Sequence, residues 1–334
     1  MLPAVVLMGH DIRPAGQPVP ETPYDTVIDA GTLETTLREL AEQGYRFVSF
    51  DDFMLWRHRG GVALLTFDDA YVNVVDVALP VLEKLGVPAL VFAIASGLEC
   101  GDPFPHFLHE LQERWPRGSV ICRHPSIAKV VASTPYGSLD ELFQRSPGAT
   151  HDAFAKVLRP EELRALSADL VASGTQPRRT MDRAQIVRSL RSGLLDYGAH
   201  SMTHRALSTL PHDDAEAEIR DSTAALAELT GRPPVQIAFA YPYGFVSAHA
   251  AAAVARLCRA GFTCAARPVS AIDRDATLPR FNLDRLTPQR TRDAGSLGSA
   301  VASLRETALL YARTERGRRL AAPLRRALRA LTDR

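Results

Sequence analysis

Lysine is almost missing from this chain: Lys84, Lys129 and Lys156 are the only three among its 39 basic residues. With abundant alanine, that arginine bias reflects genomic composition rather than a binding function. Cysteine is also sparse, with Cys100, Cys122, Cys258 and Cys264 and no C-x-x-C pair, which excludes a disulfide scaffold in 334 residues. A surplus of either charge is missing too. The net charge of +1 carries no global footprint of a nucleic-acid-binding protein. No stretch approaches eighteen apolar residues, so no transmembrane helix is expected. The N-terminus lacks a basic n-region, and its apolar run stops at His10-Asp11, so it reads as a first strand rather than a signal peptide. The expected location is the cytoplasm.

What the chain does have is a buried strand followed by two carboxylates. In Val62-Ala63-Leu64-Leu65-Thr66-Phe67, five of six residues are apolar without helical spacing, and Asp68-Asp69 follow at once. Adjacent carboxylates repel each other, so placing both beside an apolar run is costly unless a cation or partner stabilises them. A pair that merely caps the next helix is the competing reading.

Strands and helices alternate on either side of this stretch. Ala4–Met8 is the first strand. Thr32–Gln43 has helical spacing closed by Gly44, and Tyr45–Phe50 alternates like a strand. Asp51-Asp52 is expected to cap a short helix through Trp56, and a helix is expected from Val74 to Leu85, ended by Gly86. Val87–Ile94 reads as a strand. After a gap the pattern resumes with a helix at Asp182–Leu190, a strand at Leu194–Ala199, a helix at Asp213–Thr230 and a strand at Gln236–Tyr241. A helix at Val246–Ala260 and strands at Phe262–Ala265 and Leu278–Leu283 complete it. Such alternation predicts an α/β parallel sheet or barrel. The expected organisation is a discontinuous barrel over residues 1–99 and 180–290. Residues 100–179 form a mostly helical rim insertion, with helix signals at Phe107–Trp115 and Glu161–Ser173, and residues 291–334 form a basic helical tail. In that tail Leu324, Leu328 and Leu331 share a helical face beside Arg325, Arg326 and Arg329. A solvated helix, or peripheral contact with an anionic membrane, fits this pattern.

His200 and His204 follow the strand that ends at Ala199. If the segment is helical, a spacing of four puts both imidazoles on one face. In a barrel the ends of the strands converge on one rim, which brings these histidines to Asp68 and Asp69. Two imidazoles and a carboxylate make an open divalent site, and the other carboxylate can then serve as a general base. Spacing alone leaves open which aspartate does which.

Thr66-Phe67-Asp68-Asp69, His200-Ser201-Met202-Thr203-His204 and Phe239-Ala240-Tyr241-Pro242-Tyr243-Gly244, in that order, resemble the polysaccharide deacetylases of the NodB-homology type, carbohydrate esterase family 4. The resemblance implies a distorted (β/α) barrel and a metal-dependent deacetylase that removes N-acetyl groups from a saccharide. It assigns Asp68 as base and Asp69, His200 and His204 as metal ligands. The metal is zinc first, with cobalt, nickel or manganese as alternatives. Tyr241, Pro242 and Tyr243 would contact substrate, and the Tyr243 N–H would help hold an oxyanion.

Three departures stand out. Ala70 replaces the usual glycine after the aspartates, so the turn there should avoid positive φ. Ala240 replaces the arginine that partners the base, and Arg280, grouped with the substrate-side residues, is the candidate substitute. The C-terminal Leu-x-His is absent. A subgroup that deacetylates exopolysaccharide carries a histidine at the end of the first strand, which makes His10 the candidate general acid. Acetyl esters, a non-sugar C–N bond, or a catalytically silent carbohydrate-binding protein are the alternative readings.

Overall fold

The computed structural model describes residues 2–17, 27–98, 124–139, 141, 153–154, 157–172, 180–270 and 272–283. The elements in order are β1 (Val5–Gly9), β2 (Asp11–Arg13), β3 (Val27–Asp29), α1 (Ala30–Glu42), β4 (Arg46–Phe47), α2 (Phe50–Trp56) and β5 (Val62–Phe67). There follow α3 (Leu79–Leu85), β6 (Ala89–Ala93), α4 (Pro125–Ala132), α5 (Pro160–Ala172), α6 (Arg183–Ser189), β7 (Leu195–Ala199) and α7 (His212–Thr230). The described chain ends with β8 (Ala238–Ala240), α8 (Ala248–Leu257), β9 (Ala260–Phe262) and β10 (Phe281–Asn282). The expected helix at Phe107–Trp115 and the basic tail lie outside the described residues.

The main sheet is parallel throughout, in the order β10-β1-β5-β6-β7-β8-β9, with β4 also on β5. Its two ends approach each other where Thr263 N–H donates to Leu278 O, next to β10, and Leu278 N–H donates to Gly261 O. The sheet is a curled, distorted barrel with helices outside, as the alternation predicts. The period of two decides which way each side chain faces. Val5, Leu7, Leu65, Phe67, Val91 and Tyr197 face the helices, packing with Leu33 and Leu37 of α1 and Ile219 and Leu226 of α7. Val6, Leu64, Leu90, Phe92, Ala238 and Phe262 face the interior, where Phe50, Phe53 and Met54 of α2 join them. Each large apolar side chain so buried contributes about 1.5–3 kcal/mol. The interior is crowded: a Cβ on Gly198 would lie 2.8 Å from both Ala238 O and Phe92 Cδ1, so only glycine fits there.

Two local expectations are corrected. The cap of α2 is Ser49, whose hydroxyl accepts from Asp52 N–H, while Asp51 and Asp52 occupy the first turn and favour the positive end of the helix. The helix expected from Val74 to Leu85 is split. Val74–Ala78 is a π-helical turn before α3. Pro80 lacks an N–H, and its ring would crowd the carbonyl four residues earlier, so the preceding turn widens to accommodate it. Within the stretch expected to be an insertion, α4 and α5 are joined by a Lys129–Glu162 ion pair at 2.8 Å.

Candidate metal centre

Every candidate site residue except Arg280 stands at or just past the C-terminal end of a strand. Parity carries the interior face of β5 from Leu64 and Thr66 to Asp68, and that of β7 from Gly198 to His200. Asp68 N–H donates to Gly9 O at 3.0 Å, which ties the carboxylate turn to the exit of β1 and so to His10.

Arg280, just before β10, is fully buried. Its Nη1 and Nη2 donate to Asp68 Oδ1 at 2.6 Å and Oδ2 at 2.8 Å, and its Nε donates to Thr263 O at 3.1 Å. Burial alone would raise the Asp68 carboxyl. The charge of Arg280, that of His200 and the Arg280 hydrogen bonds outweigh it and hold Asp68 at about 2. Asp69 has no hydrogen bond to Arg280, whose charge lowers it only in part. Burial, and then the negative charge of Asp68, push it well above the usual carboxylate range.

The Asp69 Oδ1 atom is buried and accepts no hydrogen bond. His204 Nε2 lies 3.4 Å from it and His200 Nε2 3.6 Å. Ligands about 2.0–2.2 Å from a tetrahedral ion sit about 3.4 Å from one another, so the three donors fit a divalent cation. They are the one such cluster of metal-binding side chains among the described residues. A bare buried carboxylate oxygen facing two imidazoles is unfavourable unless a cation completes it.

The loop that presents the histidines is not helical. Ser201 and His204 both have positive φ, at 63° and 56°, so the spacing of four works through a tight loop instead of a helix face. The Ser201 hydroxyl accepts from His204 N–H at 2.9 Å, and Glu218 of α7 accepts from Thr203 N–H at 2.9 Å. His200 Nδ1 is 2.8 Å from Ala240 O, and His204 Nδ1 is 3.1 Å from the Tyr243 hydroxyl. Burial lowers the His200 value, which favours the neutral ring a metal ligand needs.

The turn after the aspartates also departs from expectation. Asp69 has φ 67° and Ala70 φ 52°, so the chain takes a left-handed turn there without a glycine. The turn is held from outside, since Ala70 O accepts from Met181 N–H at 2.8 Å.

The remaining candidates are placed as follows. His10 is partly exposed, and its Nδ1 is buried without a hydrogen-bond partner. Burial, offset in part by Asp68 and reinforced by Arg280 and His200, lowers it to about 4. Pro242 is buried, and Tyr243 is partly exposed with φ 60°. Tyr241 is fully buried, and its hydroxyl donates to Ala276 O at 2.8 Å, so it braces the loop from behind. Sequence alone gives no sign of the role of Glu218, because a helical glutamate shows nothing locally of what its carboxylate grips.

A family model described as polysaccharide deacetylase matches residues 57–125 and 143–263. No curated protein matches by sequence. Among solved structures, a polysaccharide deacetylase from Bacillus cereus is 15% identical, covering 87% of this chain and 68% of its own, at a TM-score of 0.54. The deacetylase PplD from Streptococcus pyogenes, solved with acetate, is 18% identical, with 88% and 98% covered and a TM-score of 0.52. IcaB from Ammonifex degensii is 19% identical, with 90% and 98% covered and a TM-score of 0.53. At these identities the likeness to the solved structures is one of fold.

Proposed function

Because this chain belongs to the polysaccharide deacetylase family, we propose that it is a zinc-dependent hydrolase of N-acetyl groups on an N-acetylhexosamine-containing glycan or glycan precursor. The observation that carries the reading is the buried Asp69 Oδ1 facing two imidazole nitrogens, beside a second carboxylate that is kept ionised. Asp69, His200 and His204 would hold the ion. When bound, a divalent cation supplies Lewis acidity, lowering the pKa of a water and polarising a carbonyl.

The protein's own groups divide the rest of the work. Asp68 is anionic at neutral pH and held by two Arg280 N–H groups, one on each oxygen, and its remaining lone pairs would take a proton from the attacking water. Pro242 and Tyr243 line the acetyl side, and the Tyr243 N–H meets the negative charge that develops on the carbonyl oxygen. His10 delivers a proton to the departing nitrogen. Its value of about 4 means that it is uncharged at rest and must first receive that proton. We assign that proton to Asp68, whose charge favours the protonated ring. This relay returns Asp68 to its anionic form at the end of each turnover.

We read the Arg-rich segment near the C-terminus as a peripheral contact with anionic lipid, on the spacing of Leu324, Leu328 and Leu331 beside arginines. A cytoplasmic location belongs to the same reading. Among the described residues, no helix is long and apolar enough to cross a membrane.

Acetate release on defined N-acetylhexosamine oligosaccharides, with and without chelator, tests the function. Release that stops with chelator and returns with zinc is expected. Turnover confined to acetyl-xylan or cyclic amides would move the assignment to esters or non-sugar amides. Glycan binding without turnover or bound metal would make the protein a lectin-like binder.

A further inference from the structure

The two candidate imidazole ligands come from one loop, yet both of their outward nitrogens are met by a different segment. His200 Nδ1 faces Ala240 O at 2.8 Å, and His204 Nδ1 faces the Tyr243 hydroxyl at 3.1 Å. Both partners lie within four residues at the exit of β8. Tyr243 reaches His204 from an unusual backbone. Its φ of 60° is left-handed, a conformation unfavourable for an L-residue. The neighbouring Gly244 has φ 70° and lies so close to Cys264 that a Cβ would sit 2.7 Å from its Cβ, so the turn is wedged against the start of the next loop. The Tyr243 ring stands edge-on to His204, with centroids 4.8 Å apart and planes at 69°.

We propose that the Ala240–Tyr243 segment orients both metal-binding imidazoles, and that the Tyr243 hydroxyl is a positioning group for His204. This rests on the metal-dependent reading above and adds a task to a segment expected only to line the acetyl pocket. A neutral imidazole that presents Nε2 to a cation carries its proton on Nδ1, and a fixed acceptor at Nδ1 selects that tautomer and locks the ring plane. Ala240 O serves His200 as such an acceptor, from the main chain, and no side-chain change removes it. Tyr243 Oη accepts from His204 Nδ1–H once Nε2 is turned to the cation, holding the ring plane, and a single substitution does remove it. The left-handed turn carries the Tyr243 ring round to His204 and is kept despite its cost.

The test is calorimetric titration of zinc alone into metal-free full-length protein, for the wild type and Tyr243→Phe. Zinc affinity about 10-fold weaker in the variant is expected. The metal-free melting temperature should stay unchanged, and the zinc-induced rise should shrink. The visible spectrum of the cobalt-loaded variant should shift, because the His204 ring is no longer held. Equal zinc affinity with an unchanged cobalt spectrum overturns the proposal. So does a lower metal-free melting temperature with equal affinity, which would make Tyr243 a packing residue. A wild type that binds none of zinc, cobalt, nickel or manganese overturns the metal-dependent reading itself, and that result is distinct from a normal wild type beside an unaffected variant.

Discussion

Asp68 and Asp69 are neighbours on the chain, both buried, and their carboxyls are shifted in opposite directions. Burial raises both. The charge of Arg280, that of His200 and the two Arg280 hydrogen bonds return Asp68 to about 2, while at Asp69 the charge of Asp68 adds to burial, the charge of Arg280 offsets them only in part, and the carboxyl stays well above the usual range. Two predictions follow from this contrast. With chelator present, Asp69→Asn should be more stable than the wild type at neutral pH, although it no longer binds zinc. The sign comes from linkage: a carboxyl raised in the folded state contributes its full stability below the ordinary value of 3.8 and loses it as pH rises towards the folded value. Urea melts of the metal-free proteins between pH 4 and 8 should therefore diverge as pH rises. Parallel curves would show that Asp69 is not strained by its charge. Asp68→Asn should lower acetate release about 100- to 10,000-fold while zinc affinity is retained, as expected of a lost general base. Full activity in that variant would remove Asp68 from the mechanism.

At the scale of the elements, the strand ends hold the backbone strain. Among the described residues, the non-glycine positions with positive φ are Asp69, Ala70, Ser201, His204 and Tyr243, and all belong to the loops that follow β5, β7 and β8. Strain of this kind persists only where the surroundings over-determine it, and it gathers at functional sites. Ala70→Gly should relieve one instance and raise stability by up to about 1 kcal/mol in urea denaturation, because glycine takes φ near 52° freely. A loss of stability would mean that the buried methyl outweighs the strain. None of these five conformations was legible locally. The His-x-x-x-His spacing left loop or helix open, and Ala70 in place of glycine suggested a turn without positive φ. Tertiary contacts decide both: Met181 N–H and Gly9 O hold the Asp68–Ala70 turn, and Glu218 holds the histidine loop.

At the scale of the whole molecule, the barrel brings together residues separated by more than two hundred positions. Arg280 reaches Asp68 only because β10 lies on β1 and β1 on β5. The basic segment near the C-terminus carries a prediction at this scale. Truncation after residue 312 should lower sedimentation with anionic vesicles and leave acetate release from soluble oligosaccharides unchanged. Equal sedimentation of the two forms would remove the membrane reading.

The sequence by itself determined the strand–helix alternation, the placing of Asp68 and His200 at strand ends, and the three motifs that mark the family. These depend on periodicity and on neighbours along the chain, and periodicity is a local property. Arg280 was already the candidate partner of Asp68; only the tertiary structure decided that the pairing is made, that Arg280 bonds Asp68 and not Asp69, and that Tyr243 meets His204. Those outcomes depend on register across the sheet and on loops whose conformations are imposed from outside them. No count of residues along the chain contains that information.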